Sequence, residues 1–209
     1  MTEAATPAPE PFSDQLEAWL TSDDPKSVGH LGVVFGEKSF AVTILFLMVF
    51  PALPLPTGGV THVFEVITVL LGVEMVIGMR TIWLPARFRD RGLGAATTEK
   101  VLPFMMKRVR WLERFSKPRA ARLFSQRWFV RILGVVFIGF ALGAGLAPPF
   151  SGLDTLPAMG AVLVALSMIV GDVLALIVGA VIGAVIGVAG IALSITVGAV
   201  LVHLVRSLF

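Results

Sequence analysis

Four ionisable side chains lie inside or at the start of apolar segments, where a charged group is costly and usually serves a function. The deepest of them is Glu74, within VITVLLGVEMVIG. A carboxyl group at such a position takes up protons or binds cations along a polar pathway, and this is the role that we predict for Glu74. The alternative is a structural carboxyl, either protonated at neutral pH or paired with Arg80.

The other three ionisable residues follow two breaks that are rich in proline and glycine. His62 and Glu65 follow the first break, and Asp154 follows the second. A helix N-terminus stabilises an acidic group, so capping is the alternative role for Asp154. Glu65 precedes Glu74 by nine residues. That spacing is about 180° round a straight helix, so the two carboxylates are not an acid/base pair in one cavity.

Other kinds of chemistry lack the residues that they need. The chain has three histidines, spread over its length, and no cysteine. These counts argue against a metal site and exclude thiol chemistry. The sequence carries no nucleophile elbow, phosphate-binding loop or dinucleotide fingerprint. We therefore expect no metal, no cofactor and no catalytic residue, and we predict that the protein is not an enzyme.

The composition places these residues in a membrane protein. Hydrophobic residues make up 56% of the chain and charged residues 15%, and the mean hydropathy is +0.88. These values are unlike those of a soluble domain. Several apolar runs are shorter than the roughly 20 residues of a full span, which favours re-entrant or half-crossing helices. The runs cover residues 39–56, 60–79, 130–147, 156–171 and 173–205.

One segment is strongly basic. Residues 80–131 hold fourteen Lys or Arg against three acidic residues, so the positive-inside rule predicts that this loop is cytoplasmic. Within it, VLPFMMKRVRWLERF has one apolar helical face. We predict a helix at the inner membrane surface whose basic side chains contact anionic lipid, and we expect no nucleic acid as a partner. Those side chains are Lys107, Arg108, Arg110 and Arg114.

The apolar segments show an internal similarity. A shift of 93 residues superimposes residues 53–78 on residues 146–171 without a gap. Paired breaks in two apolar halves indicate a repeat-built membrane fold, and two interfacial hairpins with similar turns are the alternative. The sequence leaves open whether the copies are inverted. The selected break residues are Pro54, Pro56 and Gly59 in the first copy, and Pro149 and Gly152 in the second.

The C-terminal run contains a ladder of small residues at every fourth position, which lets helices approach closely. We predict a homodimer through this ladder, with a second helix of the same chain as the equal alternative. As one helix the run is about 50 Å long against about 30 Å of hydrocarbon, so it must tilt strongly, protrude or break, and the stretch from Gly187 to Gly190 is the favoured place for a break. The ladder consists of Ala175, Gly179, Gly183 and Gly187.

These patterns predict an all-α polytopic integral membrane protein with an internal hairpin repeat, inverted or parallel, and with broken or re-entrant helices. A short amphipathic helix near Leu16 and Trp19 is expected to pack on the protein or its surface. The predicted segments are a polar N-terminal segment (1–38), a first membrane repeat (39–79), the basic cytoplasmic loop (80–129), a second membrane repeat (130–172) and a Gly-rich helix or helix pair (173–209).

Residues 27 to 205 also carry a family resemblance. GEKSFAVTILFLMVFPALPLPTGG, then RTIWLP, the basic loop and LAPPFSGLDTLPAMGAVLVALSMIVGD resemble the ExoD family of bacterial exopolysaccharide synthesis proteins. The resemblance implies a protein of the inner (cytoplasmic) membrane whose loss perturbs exopolysaccharide production, and it supplies no catalytic residue. Two functions are therefore expected as alternatives. One is a transporter-like or channel-like protein, and the other is a scaffold or partner of exopolysaccharide assembly proteins.

Overall fold

The described part of the chain is entirely helical. The computed structural model describes residues 11–25, 30, 34–53, 61–79, 81–83, 102–115, 121–146 and 154–208. These residues form no strand, which confirms the predicted all-α class. The helices are α1 (Phe12–Thr21), α2 (Ser39–Val49), α3 (Thr61–Ile77), α4 (Leu102–Phe115), α5 (Ala121–Phe124), α6 (Arg127–Gly145), α7 (Thr155–Val170) and α8 (Val173–Leu208).

Helices α3 and α7 occupy matching positions in the two similar segments and end in the same way. Gly78 and Gly171, which the 93-residue shift superimposes, both have positive φ, 90° and 75°. In each case the next amide N–H, of Met79 or Asp172, bonds back to a carbonyl one turn inside the helix. This is the Schellman ending, in which glycine accepts the left-handed conformation without steric cost.

The helices of the two segments pack across one another. Helix α3 lies along α6, and α2 lies along α7, so each segment is held mainly by the other. Every residue of α2 except Leu47 is buried, as expected for a short helix that is apolar on all sides. Helix α8 lies along the outside of α7.

The direction of each helix follows from the residues that meet at one end of the bundle. Phe40 and Val130, near the starts of α2 and α6, line the same pocket as Met79 and Met168, near the ends of α3 and α7. Helices α2 and α6 therefore run in one direction, and α3 and α7 run in the other. The two helix pairs have the same orientation.

Two of the helix crossings depend on glycine. A methyl group on Gly134 would lie 2.7 Å from the carbonyl oxygen of Gly72, where α6 crosses α3. A methyl group on Gly183 would lie 2.4 Å from Cα of Gly160, where α8 crosses α7. Both distances are far below van der Waals contact, so a side chain at either position would separate the helices.

The small-residue ladder contacts a helix of the same chain. Gly179 lies against Leu163, Gly183 against Gly160, and Gly187 near Pro157, all from α7. This is the intramolecular alternative, and self-association through the same residues stays a prediction. No break occurs between Gly187 and Gly190, because α8 is continuous from Val173 to Leu208; of the alternatives, the structure has the single unbroken helix. Glycine costs a helix about 1 kcal/mol at most, too little to break a helix held by packing.

The outward faces of three helices are apolar. On α3 the exposed large side chains recur every three or four residues, which is a single helical stripe. Helices α6 and α8 carry stripes of the same kind. The exposed residues are Val63, Val66, Leu70, Val73 and Ile77 on α3, Trp128, Ile132, Val135 and Leu142 on α6, and Leu174, Ile177, Val178, Val181, Ile182 and Val185 on α8.

Among the described residues, α6 is the helix that is both long enough and apolar enough to cross a bilayer. Its 19 residues correspond to about 28 Å, close to the thickness of the hydrocarbon core. Three other apolar stretches are shorter than a full span. They are Ser39–Val49 (α2), Thr155–Val170 (α7) and the Val173–Ala189 part of α8.

The basic helix α4 packs against the N-terminal helix α1. The Ser13 hydroxyl and amide N–H both donate to the Glu113 carboxylate, at 2.5 and 3.2 Å. Arg110 donates to Glu17 at 2.6 Å. Desolvation lowers the pKa of Lys38, and the neighbouring Glu113 carboxylate opposes this shift. Helix α1 therefore packs on the protein, and its acidic residues contact the basic helix α4.

This contact changes the interpretation of α4. Val109, on its apolar face, is fully buried, and Met106 is half-buried and packs against the core. That side of α4 therefore faces protein rather than lipid. Lys107, Arg110 and Arg114 are exposed, and the side chain of Arg108 lies outside the described residues. Lipid contact by these residues stays a prediction, with Arg110 already held by Glu17.

Candidate functional site

The first turn of α3 carries a paired histidine and glutamate. His62 and Glu65 are three residues apart, so both side chains project from one face of the helix. The His62 Nδ1 and the Glu65 Oε2 are 2.6 Å apart. The side chain of Glu65 is 3% exposed and that of His62 is 34% exposed. The histidine therefore connects a buried carboxyl group to the surface.

The end of α6 closes the other side of this carboxyl group. A methyl group on Gly145 would lie 3.2 Å from Glu65 Oε2 and 3.9 Å from Glu65 Cβ. Glycine at this position leaves room for the carboxyl group between α3 and α6. Gly145 was not identified from the sequence, although it stands in a run of small residues, LGAG.

Asp154 brings the start of α7 to the same place. Asp154 directly precedes α7 and lies within electrostatic range of Glu65, without a hydrogen bond to it among the described residues. Its side chain makes no capping hydrogen bond to α7, and the alternative of a helix cap is therefore not seen. His62, Glu65 and Asp154, which the sequence selected separately, belong to one cluster, which we call the Glu65 site.

The Glu65 site lies beside both breaks. Glu65 is on the first turn of α3, and Asp154 directly precedes α7. The break residues themselves lie outside the described part of the chain, so their predicted role stays a prediction. They are Pro54, Pro56, Gly59, Pro149 and Gly152.

One carboxyl oxygen of Glu65 is an unsatisfied hydrogen-bond acceptor among the described residues. Oε1 is buried and has no hydrogen-bond partner among the described residues. A buried carboxyl oxygen without a partner is costly unless it is protonated or binds a ligand. Because His62 joins this carboxyl group to the surface, the site can exchange a proton with its surroundings. No group of three or more metal-binding side chains occurs among the described residues.

Glu74 lies at the opposite end of α3. Its Oε2 accepts the amide N–H of Trp83 at 3.0 Å. Nine residues separate it from Glu65, which is about 13 Å along the helix. Glu74 is thus separate from the Glu65 site. Its hydrogen bond holds the segment at Trp83 against the end of α3. Its predicted role in a pathway stays untested, and Arg80, its proposed partner, lies outside the described residues.

A fourth acidic residue of the apolar segments has a structural role. Asp172 is buried, at 3% exposure, between the end of α7 and the start of α8. Its Oδ1 accepts the amide N–H of Leu174 at 2.9 Å, a helix-capping bond at the start of α8.

These features define an all-helical protein built from two crossed helix pairs with a buried acidic cluster between them. The chain belongs to the ExoD family: the model described as "Exopolysaccharide synthesis, ExoD" matches residues 12–193. This confirms the resemblance found in the sequence. The chain is also similar to the uncharacterized protein slr1875 of Synechocystis sp. (strain ATCC 27184 / PCC 6803 / Kazusa). The two are 24% identical over 154 residues, which is 71% of this chain and 70% of the relative. No solved structure matches the chain.

Proposed function

We propose that this protein crosses the bacterial inner membrane several times and supports exopolysaccharide synthesis or export through proton-linked transport or conduction. The observation that carries the proposal is the buried Glu65, with one oxygen free of described partners, where helices from both halves meet. An ionisable group kept inside an apolar bundle is a common mark of a proton or ion pathway. The family supplies the link to exopolysaccharide.

The membrane placement is supported by the outward apolar stripes on α3, α6 and α8. A monomeric soluble protein rarely exposes contiguous apolar surface of this extent. The short buried helices α2 and α7 then lie inside the bundle, and the outer helices shield them from lipid. The basic segment before α6 supports a cytoplasmic position for that end of the bundle by the positive-inside rule.

The repeat proposal is supported by the matching ends of α3 and α7 and by the crossed packing of α2 on α7 and α3 on α6. The common direction of the two helix pairs favours a parallel repeat, related by an axis along the membrane normal, over an inverted one. In parallel repeats of this kind the polar site lies between the halves, which is where Glu65 lies.

Reconstitution into liposomes tests the proposal. With a pH gradient and an internal pH-sensitive dye, the wild-type protein is expected to dissipate the gradient faster than empty liposomes do. Glu65→Gln keeps the size and hydrogen-bonding capacity of the side chain but cannot release a proton. We therefore expect this variant to lose most of the flux and to fail to restore exopolysaccharide in a strain that lacks the gene.

Glu74→Gln is the matched control, since it makes the same chemical change on the same helix outside the Glu65 site. We expect it to retain most of the flux, because Glu74 bonds to the Trp83 backbone outside the Glu65 site. Loss of flux in Glu74→Gln would instead support the pathway role that the sequence predicts for Glu74. Two results together would contradict transport and favour a second candidate function. They are no flux from the folded wild-type protein and restored exopolysaccharide with the Glu65→Gln variant. The second candidate is a membrane scaffold for exopolysaccharide assembly proteins. The exposed basic residues of α4 favour this function, because they offer a docking surface.

A further inference from the structure

A cavity lies at the end of the bundle away from the Glu65 site. It opens where α2 and α6 begin and where α3 and α7 end. Phe40, Met79, Phe124 and Met168 give it an apolar wall. Arg127, the first residue of α6, supplies the charged part of its lining. A pocket with an apolar wall and a cationic rim fits a ligand that has an apolar chain and an anionic group.

A second arginine stands beside this cavity. Arg131 follows Arg127 by one helical turn, so both lie on the same face of α6. A methyl group on Gly78 would lie 3.3 Å from Nη2 of Arg131, so the glycine that ends α3 also makes room for this guanidinium group. Among the described residues neither arginine forms an ion pair. Two neighbouring guanidinium groups with no carboxylate partner in the described part of the chain can bind an oxyanion, which guanidinium holds in bidentate geometry.

The level of the cavity in the bilayer indicates which kind of anion the two arginines bind. Arg127 begins α6, the described helix that is long and apolar enough to cross a bilayer. Its position is therefore where a spanning helix leaves the hydrocarbon and enters the headgroup layer. Trp128 is 55% exposed at the same level, and tryptophan is enriched in this layer. From there the exposed Ile132 and Val135 on α6 provide an apolar path toward the membrane interior.

We infer that this cavity holds the phosphate-bearing headgroup of a membrane lipid, with Arg127 and Arg131 as the phosphate ligands. Phe40, Met79 and Met168 contact the first part of the lipid chain. The inference rests on the membrane placement proposed above and is independent of proton flux. The phosphate group supplies the negative charge that pairs with the two arginines. The lipid chain anchors the headgroup at the depth of the cavity.

Native mass spectrometry of the purified protein in detergent tests this inference, with phosphatidylglycerol, diacylglycerol and inorganic phosphate as probes. We expect the wild-type protein to retain phosphatidylglycerol and to bind the other two much more weakly. Arg127→Gln and Arg131→Gln should each weaken phosphatidylglycerol binding about tenfold, because each removes a charge-assisted hydrogen bond. Arg114→Gln is the control: it removes an equal charge from the exposed face of α4, away from the cavity.

The remaining outcomes would overturn the inference in distinguishable ways. Equal retention of diacylglycerol would show an apolar slot that does not require phosphate. Equally tight binding of inorganic phosphate would show an anion site that does not require a lipid. Equal losses in all three variants would show a nonspecific effect of net charge. Thermal unfolding of each variant checks that the fold is intact. Lipid retention is measured without any flux assay, so a failure of this inference is distinct from a failure of proton flux.

Discussion

Replacement of Gly183 by alanine is expected to destabilise the protein by about 1–3 kcal/mol, the usual cost of forcing a group into a packed interface. The new methyl group would lie 2.4 Å from Cα of Gly160 and 2.8 Å from the Phe140 ring. The first neighbour is backbone and cannot move aside without shifting α7. Helix α8 must therefore move away from α7, and the contacts on both sides of the crossing are weakened.

Gly187→Ala is the matched control, because it makes the same change four residues further along the same ladder. Its methyl group would meet Pro157 at 3.9 Å, which is ordinary contact. We expect no loss and a gain of up to about 1 kcal/mol, since alanine is the better helix former. Unfolding in mixed detergent measures both variants. Equal stability of the two would contradict the crossing of α7 and α8. A folded Gly183→Ala monomer obtained from a wild-type dimer would instead support the predicted homodimer.

The second large effect is expected at the hydrogen bond between His62 and Glu65. Removing His62 leaves a carboxyl group that is 3% exposed without its described partner. The cost of a buried polar group that loses its partner is about 1–3 kcal/mol. His62→Ala should therefore destabilise the protein by that amount, and His62→Gln, which keeps a hydrogen-bond donor, should recover part of the loss.

A double-mutant cycle isolates this interaction. Once Glu65 is leucine there is no carboxyl group to satisfy, and His62→Ala should then cost little. We expect a coupling free energy of about 1–3 kcal/mol between the two positions. The control cycle pairs His62 with Glu74, twelve residues away on the same helix, and should be additive. Additivity in both cycles would show that His62 does not hold the Glu65 carboxyl group.

Much of the architecture could be predicted from local sequence. The 93-residue shift pairs α3 with α7, and both helices end at a glycine with positive φ. This ending could be predicted because a terminal glycine acts through local backbone geometry. The ladder of Gly179, Gly183 and Gly187 also predicted close helix packing correctly. Its partner could not be predicted, because a flat groove of small residues accepts a helix of the same chain or of another.

The site was only partly predictable for a similar reason. Depth within an apolar run favoured Glu74, but the burial of a carboxyl group depends on which other helix covers it. Glu65 is covered by the end of α6 at Gly145, a contact across 80 residues of sequence. Glu74 instead meets the backbone of Trp83. The apolar face of α4 was ambiguous for the same reason. The same apolar side chains suit contact with lipid and contact with another helix such as α1, so the sequence does not distinguish the two.

The central claim is that the two halves cross so that the start of α3 meets the end of α6 at Glu65. The chain has no cysteine, so introduced pairs can be cross-linked without background. The Cβ atoms at positions 65 and 145 would be 3.9 Å apart, within the roughly 3.5–4.5 Å of a disulfide. A protease site inserted between residues 84 and 101 allows the two halves to be separated after oxidation.

Glu65→Cys combined with Gly145→Cys, oxidised in native membranes and then cleaved, is the most direct measurement. The account predicts that the two fragments stay together on a non-reducing gel and separate when reduced. Glu74→Cys with Gly145→Cys should give separate fragments, since position 74 lies about 13 Å further along α3. Separate fragments from the Glu65 pair, or cross-linking between two copies of the chain in its place, would contradict the crossed arrangement.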